Sequence, residues 1–187
     1  KGIFGYGYTT GSVSMSNLLS SSGVVATDVT GVGTARYGPA ACEYGEDKGI
    51  FGFGSDGSSH LSMTNLVSNA GVVATDVTGV GTARSYLMAC GYGYDKGIFG
   101  FGDPGPTAVT NLVSNAGVVA TDTTGVGTAR GSPGATQYGG DKGIFGYGFS
   151  SPSSLSMTNL VSNAGVVGTD VTGVGTARNQ QGACSFN

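Results

Sequence analysis

One seven-residue phrase occurs four times in this chain, and the repetition limits what the chain can fold into. KGIFGYG or KGIFGFG begins at residues 1, 48, 96 and 142, and a longer phrase, TNLVSNAGVVATDVTGVGTAR with its variants, ends each time in an arginine. A fixed period of roughly 20–50 residues is typical of repeat architectures in which neighbouring units bury one another's apolar faces. The sequence predicts one domain, residues 1–187, built from four units at approximately 1–47, 48–95, 96–141 and 142–187.

Within each unit the residue pattern is that of β-strands. VVATDVTGV at 72–80 is rich in β-branched residues, and the turn before it places a glycine where a positive φ is needed. We expect four strands per unit, with Phe4 and Tyr6 on one face of the first strand and Ile3 on the other. The phenylalanines of this strand are expected to be buried between adjacent sheets: Phe4, Phe51, Phe99 and Phe145.

Composition excludes several classes of protein. Glycine supplies 37 of the 187 residues, only 10% are charged, and the net charge is −3. A mean hydropathy of +0.09 is not that of a charge-rich disordered tail. A sequence pI of about 4.8 argues against nucleic acid as a partner, and no apolar run approaches the ~18 residues of a membrane span.

The two ends of the chain complement each other in sequence. The last unit, aligned with the second, places Cys184 where Cys90 stands. We expect the segment around Cys184 to pair antiparallel with Ile3–Tyr6, which would bring Asn187 next to Lys1. Such closure removes exposed strand edges, and a linear solenoid would need distinct capping repeats that this sequence lacks. A ring is therefore favoured.

All four units resemble the kelch-type β-propeller repeat. The resemblance lies in the order of the elements, which is an arginine, a strand of small apolar residues, a hairpin, IFGxG, a strand, a turn and another strand. The resemblance implies an all-β four-bladed propeller of four-stranded antiparallel blades, its ring closed by pairing of the N- and C-terminal strands. It also implies that the strand after each arginine is the innermost one. The family's glycine pair is split here by an aromatic residue, as in Gly5-Tyr6-Gly7, and its tryptophan is absent. Two assemblies remain open: a monomeric ring, and a homodimer that completes a larger ring.

The basic residues follow the repeat, with one lysine and one arginine in each unit and one aspartate in a matching column. They could form four equivalent anion sites, or a structural clamp that every blade requires. Their recurrence beside constant turns favours the clamp. The residues are Lys1, Lys48, Lys96 and Lys142, Arg36, Arg84, Arg130 and Arg178, and Asp28, Asp76, Asp122 and Asp170.

The cysteines occupy one column, six residues after the arginine, and Thr136 fills the fourth place. By the kelch resemblance this column lies on the innermost strand, around the central axis. Three thiols could bind a soft metal such as zinc, but no CxxC motif or histidine accompanies them. Free cysteine also packs as a small hydrophobe, so we expect neither metal nor cofactor. The cysteines are Cys42, Cys90 and Cys184.

No motif predicts catalysis. The glycine phrases match neither GxGxxG before a helix nor GxxxxGK[ST], the two patterns of phosphate-binding loops. The single histidine, His60, lies in a loop found in one unit only, and no paired carboxylates occur. We therefore expect a protein that is not an enzyme.

Two windows in each unit vary while the rest is nearly constant: one follows GYG or GFG, and the other follows the arginine. In an antiparallel blade both windows open on the same face, and loops on a rigid frame commonly carry function. The sequence predicts a binding site for a protein or a glycan on this face. Its candidate residues are Tyr8, Thr10, Tyr37, Asp56, His60, Tyr86, Met88, Asp103, Phe149, Gln180 and Gln181.

The first functional hypothesis is therefore a non-enzymatic recognition module that uses the variable face. The alternative is a structural or spacer unit of a larger cell-surface or virion protein. The sequence does not determine the compartment, although an extracellular or virion-surface location is favoured.

Overall fold

A computed structural model describes residues 1–186, and this part of the chain is all-β with antiparallel strands, as the sequence predicts. Within it there is no helix long and apolar enough to cross a membrane. The strands are β1 (Gly2–Tyr8), β2 (Ser12–Leu19), β3 (Ala40–Tyr44), β4 (Lys48–Gly52), β5 (Thr64–Val67), β6 (Met88–Tyr92), β7 (Lys96–Gly100), β8 (Thr110–Val113), β9 (Gly134–Tyr138), β10 (Lys142–Ser150) and β11 (Ser153–Val161).

The strands form four antiparallel sheets. Sheet 1 contains β1 and β2, sheet 2 contains β3–β5, sheet 3 contains β6–β8 and sheet 4 contains β9–β11. In sheets 2 to 4 the KGIFG strand lies in the middle, and the strand after each arginine flanks it. The strand expected at 72–80 is reduced to isolated bridges, those of Val73 with Val67 and of Val77 with Thr64.

The first strands of sheets 2 to 4 lie next to one another. β3 contacts β6, and β6 contacts β9. Gln137 in β9 donates a hydrogen bond from Nε2 to Glu43 Oε1 in β3 at 2.9 Å, although one whole sheet lies between them in the chain. Their first strands are therefore the inner strands, and they face one another.

Aromatic rings of one sheet pack against glycines of the sheet before it. Phe51, Phe99 and Phe145 are 6%, 0% and 0% exposed. A methyl group on Gly52 would lie 2.7 Å from the Phe99 ring, so only glycine leaves room for it. The expected burial is confirmed for these three rings and wrong for Phe4, which is 60% exposed, because no described side chain of another sheet covers it.

Strict alternation predicted that the two aromatic residues of the GIFGFG phrase lie on one face of the strand. In the structure they lie on opposite faces. The Phe51 ring meets Tyr6 of sheet 1 at 5.2 Å, whereas the Phe53 ring meets Phe99 of sheet 3 at 5.2 Å. Phe53 has a φ of 63°, in the left-handed region, and Tyr6 has the same φ at a register shift of the β1–β2 pair. This bulge turns the second aromatic to the opposite face.

The predicted pairing of the two terminal strands is not present among the described residues. β1 pairs with β2 alone, and the segment Gly182–Phe186 forms no strand. Asn187, expected beside Lys1, lies outside the described residues.

Phe99→Ala is expected to lower the free energy of unfolding by about 3–5 kcal/mol, because the substitution leaves a cavity between two sheets. Urea denaturation measures the loss. Tyr94→Ala is the control, since Tyr94 is 74% exposed, and it should change stability by less than about 0.5 kcal/mol. A loss below about 1 kcal/mol for Phe99→Ala would contradict the interleaved packing of the sheets.

Candidate functional site

A buried arginine joins each pair of adjacent sheets. Between sheets 2 and 3, Arg84 is 1% exposed, and its guanidinium carbon lies 4.2 Å from the centre of the Phe53 ring. Its nitrogens donate to Phe101 O at 2.9 Å, to Thr82 O at 3.0 Å and to Asn111 Oδ1 at 2.6 Å. The charge is thus stacked on one sheet and hydrogen-bonded to the next.

An aspartate completes this arrangement. Asp122 accepts hydrogen bonds from Asn111 Nδ2 at 2.9 Å and from Thr82 Oγ1 at 2.6 Å, and it lies 4.0 Å from Arg84 Nη1. Burial alone would raise the pKa of Asp122, but the bonds from Thr82 and Asn111, with the charge of Arg84, hold it below its ordinary value. Burial lowers the pKa of Arg84 to about 10, so the guanidinium stays charged at neutral pH. We call these four residues the interface clamp.

The clamp occurs at each of the three interfaces between consecutive sheets. Arg36 with Asn65 and Asp76 joins sheets 1 and 2, and Arg130 with Asn159 and Asp170 joins sheets 3 and 4. The structural interpretation of the arginine and aspartate columns is therefore confirmed at these interfaces, and these buried arginines are not anion sites.

Two of the cysteines pack against glycines of the next sheet. Cys42 lies in β3 and Cys90 in β6, both inner strands. A methyl group on Gly97 would lie 2.5 Å from Cys42 Sγ, and one on Gly143 would lie 2.7 Å from Cys90 Sγ. Each thiol therefore points into the next sheet. Burial raises the pKa of both, that of Cys90 to about 12, which leaves these thiols protonated and unreactive.

The two variable windows lie side by side, as predicted. Isolated β-bridges join the window after an arginine to the window after the next GFG or GYG. These bridges pair Tyr37 with Ser55, Ser85 with Asp103, and Gly131 with Phe149. The two windows form one surface, which we call the variable face.

Three tyrosines from separate windows meet on this face. The rings of Tyr8 and Tyr37 are 5.6 Å apart, and those of Tyr37 and Tyr86 are 6.1 Å apart. Tyr8 is 65% exposed and Tyr86 is 43% exposed. We call these residues the tyrosine cluster. This exposed run of aromatic rings in contact is the feature of the variable face that is most typical of a binding surface, because tyrosine offers both apolar area and a hydroxyl group.

Two acidic residues and the histidine lie in the windows next to the cluster. Asp56 accepts bonds from the backbone N–H groups of Ser58 and Ser59 at 2.7 Å each, which fix the loop. His60 Nδ1 lies 3.0 Å from Ser85 Oγ. Burial raises the pKa of Asp103, and the charge of His60 opposes that shift.

Ser85, His60 and Asp103 are the residue types of a hydrolytic triad, but their geometry differs from one. Ser85 is fully buried, so no substrate reaches its hydroxyl group. His60 and Asp103 are not among the ion pairs in the described part of the chain. The Ser85–His60 bond therefore anchors the loop. Sequence reasoning missed Ser85, since nothing about a single serine after an arginine marks it.

The remaining candidate residues are scattered. Thr10 is exposed in the turn after β1, and Phe149 lies in β10 at the edge of the face. Met88 begins β6, where its half-buried side chain packs against the core. Gln180 donates its backbone N–H to Ser132 O at 3.1 Å, and Gln181 donates from Nε2 to Gly146 O at 3.1 Å.

The lysines lie at the opposite end of the sheets. Lys48, Lys96 and Lys142 begin middle strands and pair with the aspartate just before them, at 2.7–3.1 Å. Among the described residues of the variable face, the tyrosine cluster therefore has carboxylates nearby and no lysine.

No protein-family model matches this chain, and a search of curated proteins finds no significant match.

Asp122→Asn is expected to lower the free energy of unfolding at pH 7 by about 1–3 kcal/mol, because it leaves the buried guanidinium of Arg84 without its charge partner. The folded-state pKa of Asp122 is depressed, so its contribution is full above the unfolded value of about 4 and is lost as pH falls below it. Urea denaturation from pH 7 to pH 3 should show the gap between variant and parent narrowing below about pH 4.

The control for this pH series is Glu46→Gln, which removes an exposed carboxylate outside the clamp. It should follow the parent at every pH. A gap for Asp122→Asn that stays constant down to pH 3 would show that the ionised carboxylate contributes nothing to the interface.

Proposed function

We propose that this chain is a non-enzymatic recognition module in which the four sheets are the blades of a kelch-like four-bladed propeller and the variable face binds a protein or a glycan. The architecture is supported by the inner strands that face one another and by the same clamp at successive sheets. Closure of the ring is part of this proposal.

The tyrosine cluster is the observation that carries the function. Aromatic rings held in contact lose little conformational entropy on binding, and they bury a large apolar area with hydroxyl groups at the rim. A monomeric protein gains nothing in stability from leaving Tyr8 and Tyr86 this exposed. The cluster also spans two units, so a ligand that covers it contacts windows that differ in sequence.

The charges restrict the ligand. Asp56 and Asp103 lie in the adjoining windows, and the lysines lie at the far end. An anionic ligand, such as a nucleic acid or a sulfated glycan, would meet these carboxylates, and among the described residues of this face there is no lysine to balance them. A neutral glycan, whose C–H faces stack on aromatic rings, or a neutral to basic protein segment fits this surface.

The direct test is binding of the parent chain to an array of neutral and acidic glycans and, separately, to an array of peptides of varied charge. The triple variant Tyr8→Ser, Tyr37→Ser, Tyr86→Ser should weaken binding at least ~100-fold, as expected when central aromatic contacts are removed. Tyr94→Ser is the matched control, because Tyr94 is an exposed tyrosine in the hairpin at the opposite end of the sheets.

Each outcome has a meaning for the proposal. Binding that the triple variant loses and Tyr94→Ser keeps supports it, and the array that responds identifies the ligand class. Binding only to acidic probes, or equal loss in both variants, contradicts it. No binding to either array favours the alternative, a structural or spacer unit of a larger surface protein.

A further inference from the structure

We propose that the end of the sheets opposite the variable face is a dimerisation surface, at which a second copy of this chain stacks back to back. We call this surface the constant face. In each of sheets 2 to 4 it consists of a lysine, the aspartate before it, and the turn after the third strand of the sheet. These residues are Asp47, Lys48 and 68–72, Asp95, Lys96 and 114–118, and Asp141, Lys142 and 162–166.

A valine that ends each turn of the constant face is exposed. Val72, Val118 and Val166 are each 65% exposed, and the equivalent Val24 of sheet 1 is 64% exposed. With two thirds of each side chain in solvent, packing within the sheets gives little reason for valine there. Single exposed valines are ordinary on a protein surface, but four in equivalent positions at one end of the sheets form an apolar pattern of the kind that marks an interface.

Duplication of the unit does not by itself explain why these exposed residues are alike. Thr9, Asp56 and Pro104 are also exposed, and they stand two residues after the same GYG or GFG phrase, yet all three differ. The units have thus diverged at exposed positions of the variable face, while valine persists at exposed positions of the constant face. A requirement other than folding keeps it there, and contact with a partner is such a requirement.

The charges of the constant face favour a second copy as that partner. In each pair the lysine Nζ lies 2.7–3.1 Å from the aspartate, and an asparagine of the turn donates to the other carboxylate oxygen at 3.0–3.1 Å. Bonds from Asn69 and Lys48 hold the pKa of Asp47 below its ordinary value, so this carboxylate is ionised at neutral pH. A partner of one sign would meet its own sign at every pair, whereas the same face turned over offers an aspartate to each lysine.

The repetition of the face also favours a second copy. A partner without repeats matches one unit, but another repeated face matches several units at once, and contacts that are weak singly add up when they are made together. Each lysine of the three pairs donates one bond within the described chain and has a side chain that is 40–42% exposed. Since an ammonium group has three N–H donors, donors remain for a partner.

The constant face is held in place before any partner binds. Backbone bonds from Gly45 N to Asp95 O at 2.7 Å and from Gly93 N to Asp141 O at 2.8 Å join the hairpins of adjacent sheets. A methyl group on Gly45 would lie 2.7 Å from Asn115 O, so a hairpin also packs against the turn of the next sheet. The lysine–aspartate pairs therefore keep a fixed spacing, and little order is lost on docking.

The size of the molecule is compatible with such a contact. A stable interface takes about 800 Å² from each partner, which is about a tenth of the 8960 Å² accessible surface of this chain. Each chain keeps its own order of sheets in this dimer, unlike in a homodimer that completes a larger ring.

The first test measures the oligomeric state by sedimentation and native mass spectrometry, and the parent should be a dimer at micromolar concentration. The disrupting variant replaces three exposed valines of the constant face: Val72→Asp, Val118→Asp and Val166→Asp. It should weaken the dimer at least ~100-fold, because an isologous contact buries each added charge twice.

The matched control adds three aspartates at valines that are 45–47% exposed and lie outside the constant face: Val29→Asp, Val77→Asp and Val171→Asp. Val77 lies beside Thr64, at the end of β5 away from the turn. The control should remain dimeric.

A second pair of variants tests the charge pairing directly. One variant replaces the lysines of the pairs: Lys48→Glu, Lys96→Glu and Lys142→Glu. The other replaces the aspartates: Asp47→Lys, Asp95→Lys and Asp141→Lys. All six positions then carry one sign, so neither variant should dimerise alone, and an equimolar mixture should form a one-to-one dimer that native mass spectrometry identifies. Circular dichroism checks that each variant is folded.

Three results overturn the proposal. One is a parent that stays monomeric at ~100 μM, where even a weak specific pair associates. The others are a dimer that survives the valine substitutions of the constant face, and a dimer that the control abolishes as well. A mixture of the two charge variants that forms no mixed dimer overturns the pairing of lysine with aspartate between copies.

Back-to-back stacking leaves the two variable faces pointing away from each other. This consequence rests on the proposed function: the dimer should cross-link beads coated with the ligand, whereas the monomeric valine variant should bind them without cross-linking. Binding without a dimer contradicts the stacking alone, and a dimer that binds no ligand contradicts the proposed function alone. Tyr94 lies in a hairpin at this end of the sheets, so its variants are compared with the parent at concentrations where the parent is monomeric.

Discussion

The stack of sheets depends on a positive charge that is buried at every formed interface. An unpaired guanidinium in this position would cost several kcal/mol, so the arginine stays inside only if an aromatic face, an asparagine and an aspartate are all in place. These partners come from both adjoining sheets, as with Phe53 and Asn111 around Arg84. Slippage of one sheet along the next would leave the charge without partners, and the clamp thereby fixes the relative position of the sheets.

This arrangement separates the residues that hold the sheets together from the residues of the variable face. The clamp, the interleaved phenylalanines and the thiol contacts all lie between the sheets, while the two variable windows lie at one end of them. Substitutions in a window therefore change the surface without disturbing the charges inside. Tyr8 and Tyr86 can differ from their counterparts in other units because the packing beneath them is supplied by repeated residues.

The sequence predicts the parts of this structure that repeat and fails where a residue departs from the local rule. The period was enough to predict the sheets, the arginine and aspartate columns of the clamp and the shared face of the windows, whereas the β-branched run at 72–80 forms only isolated bridges. Strict alternation could not reveal the left-handed φ of Phe53, because an aromatic residue seldom adopts it. Variation at Met88 did not reveal that β6 begins there and that its half-buried side chain packs against the core.

Near-identical units also create a problem, because any inner strand could pair with any KGIFG strand. The inner strands differ at a position where they contact one another, with Glu43, Gly91 and Gln137 in sheets 2, 3 and 4. Gln137 donates a hydrogen bond to Glu43, and a side chain on Gly91 would collide with the Gln137 amide. Exchanging two of these strands would break that bond or fill its space. The contact between the inner strands thus selects one order among strands whose hydrogen-bonding edges are interchangeable.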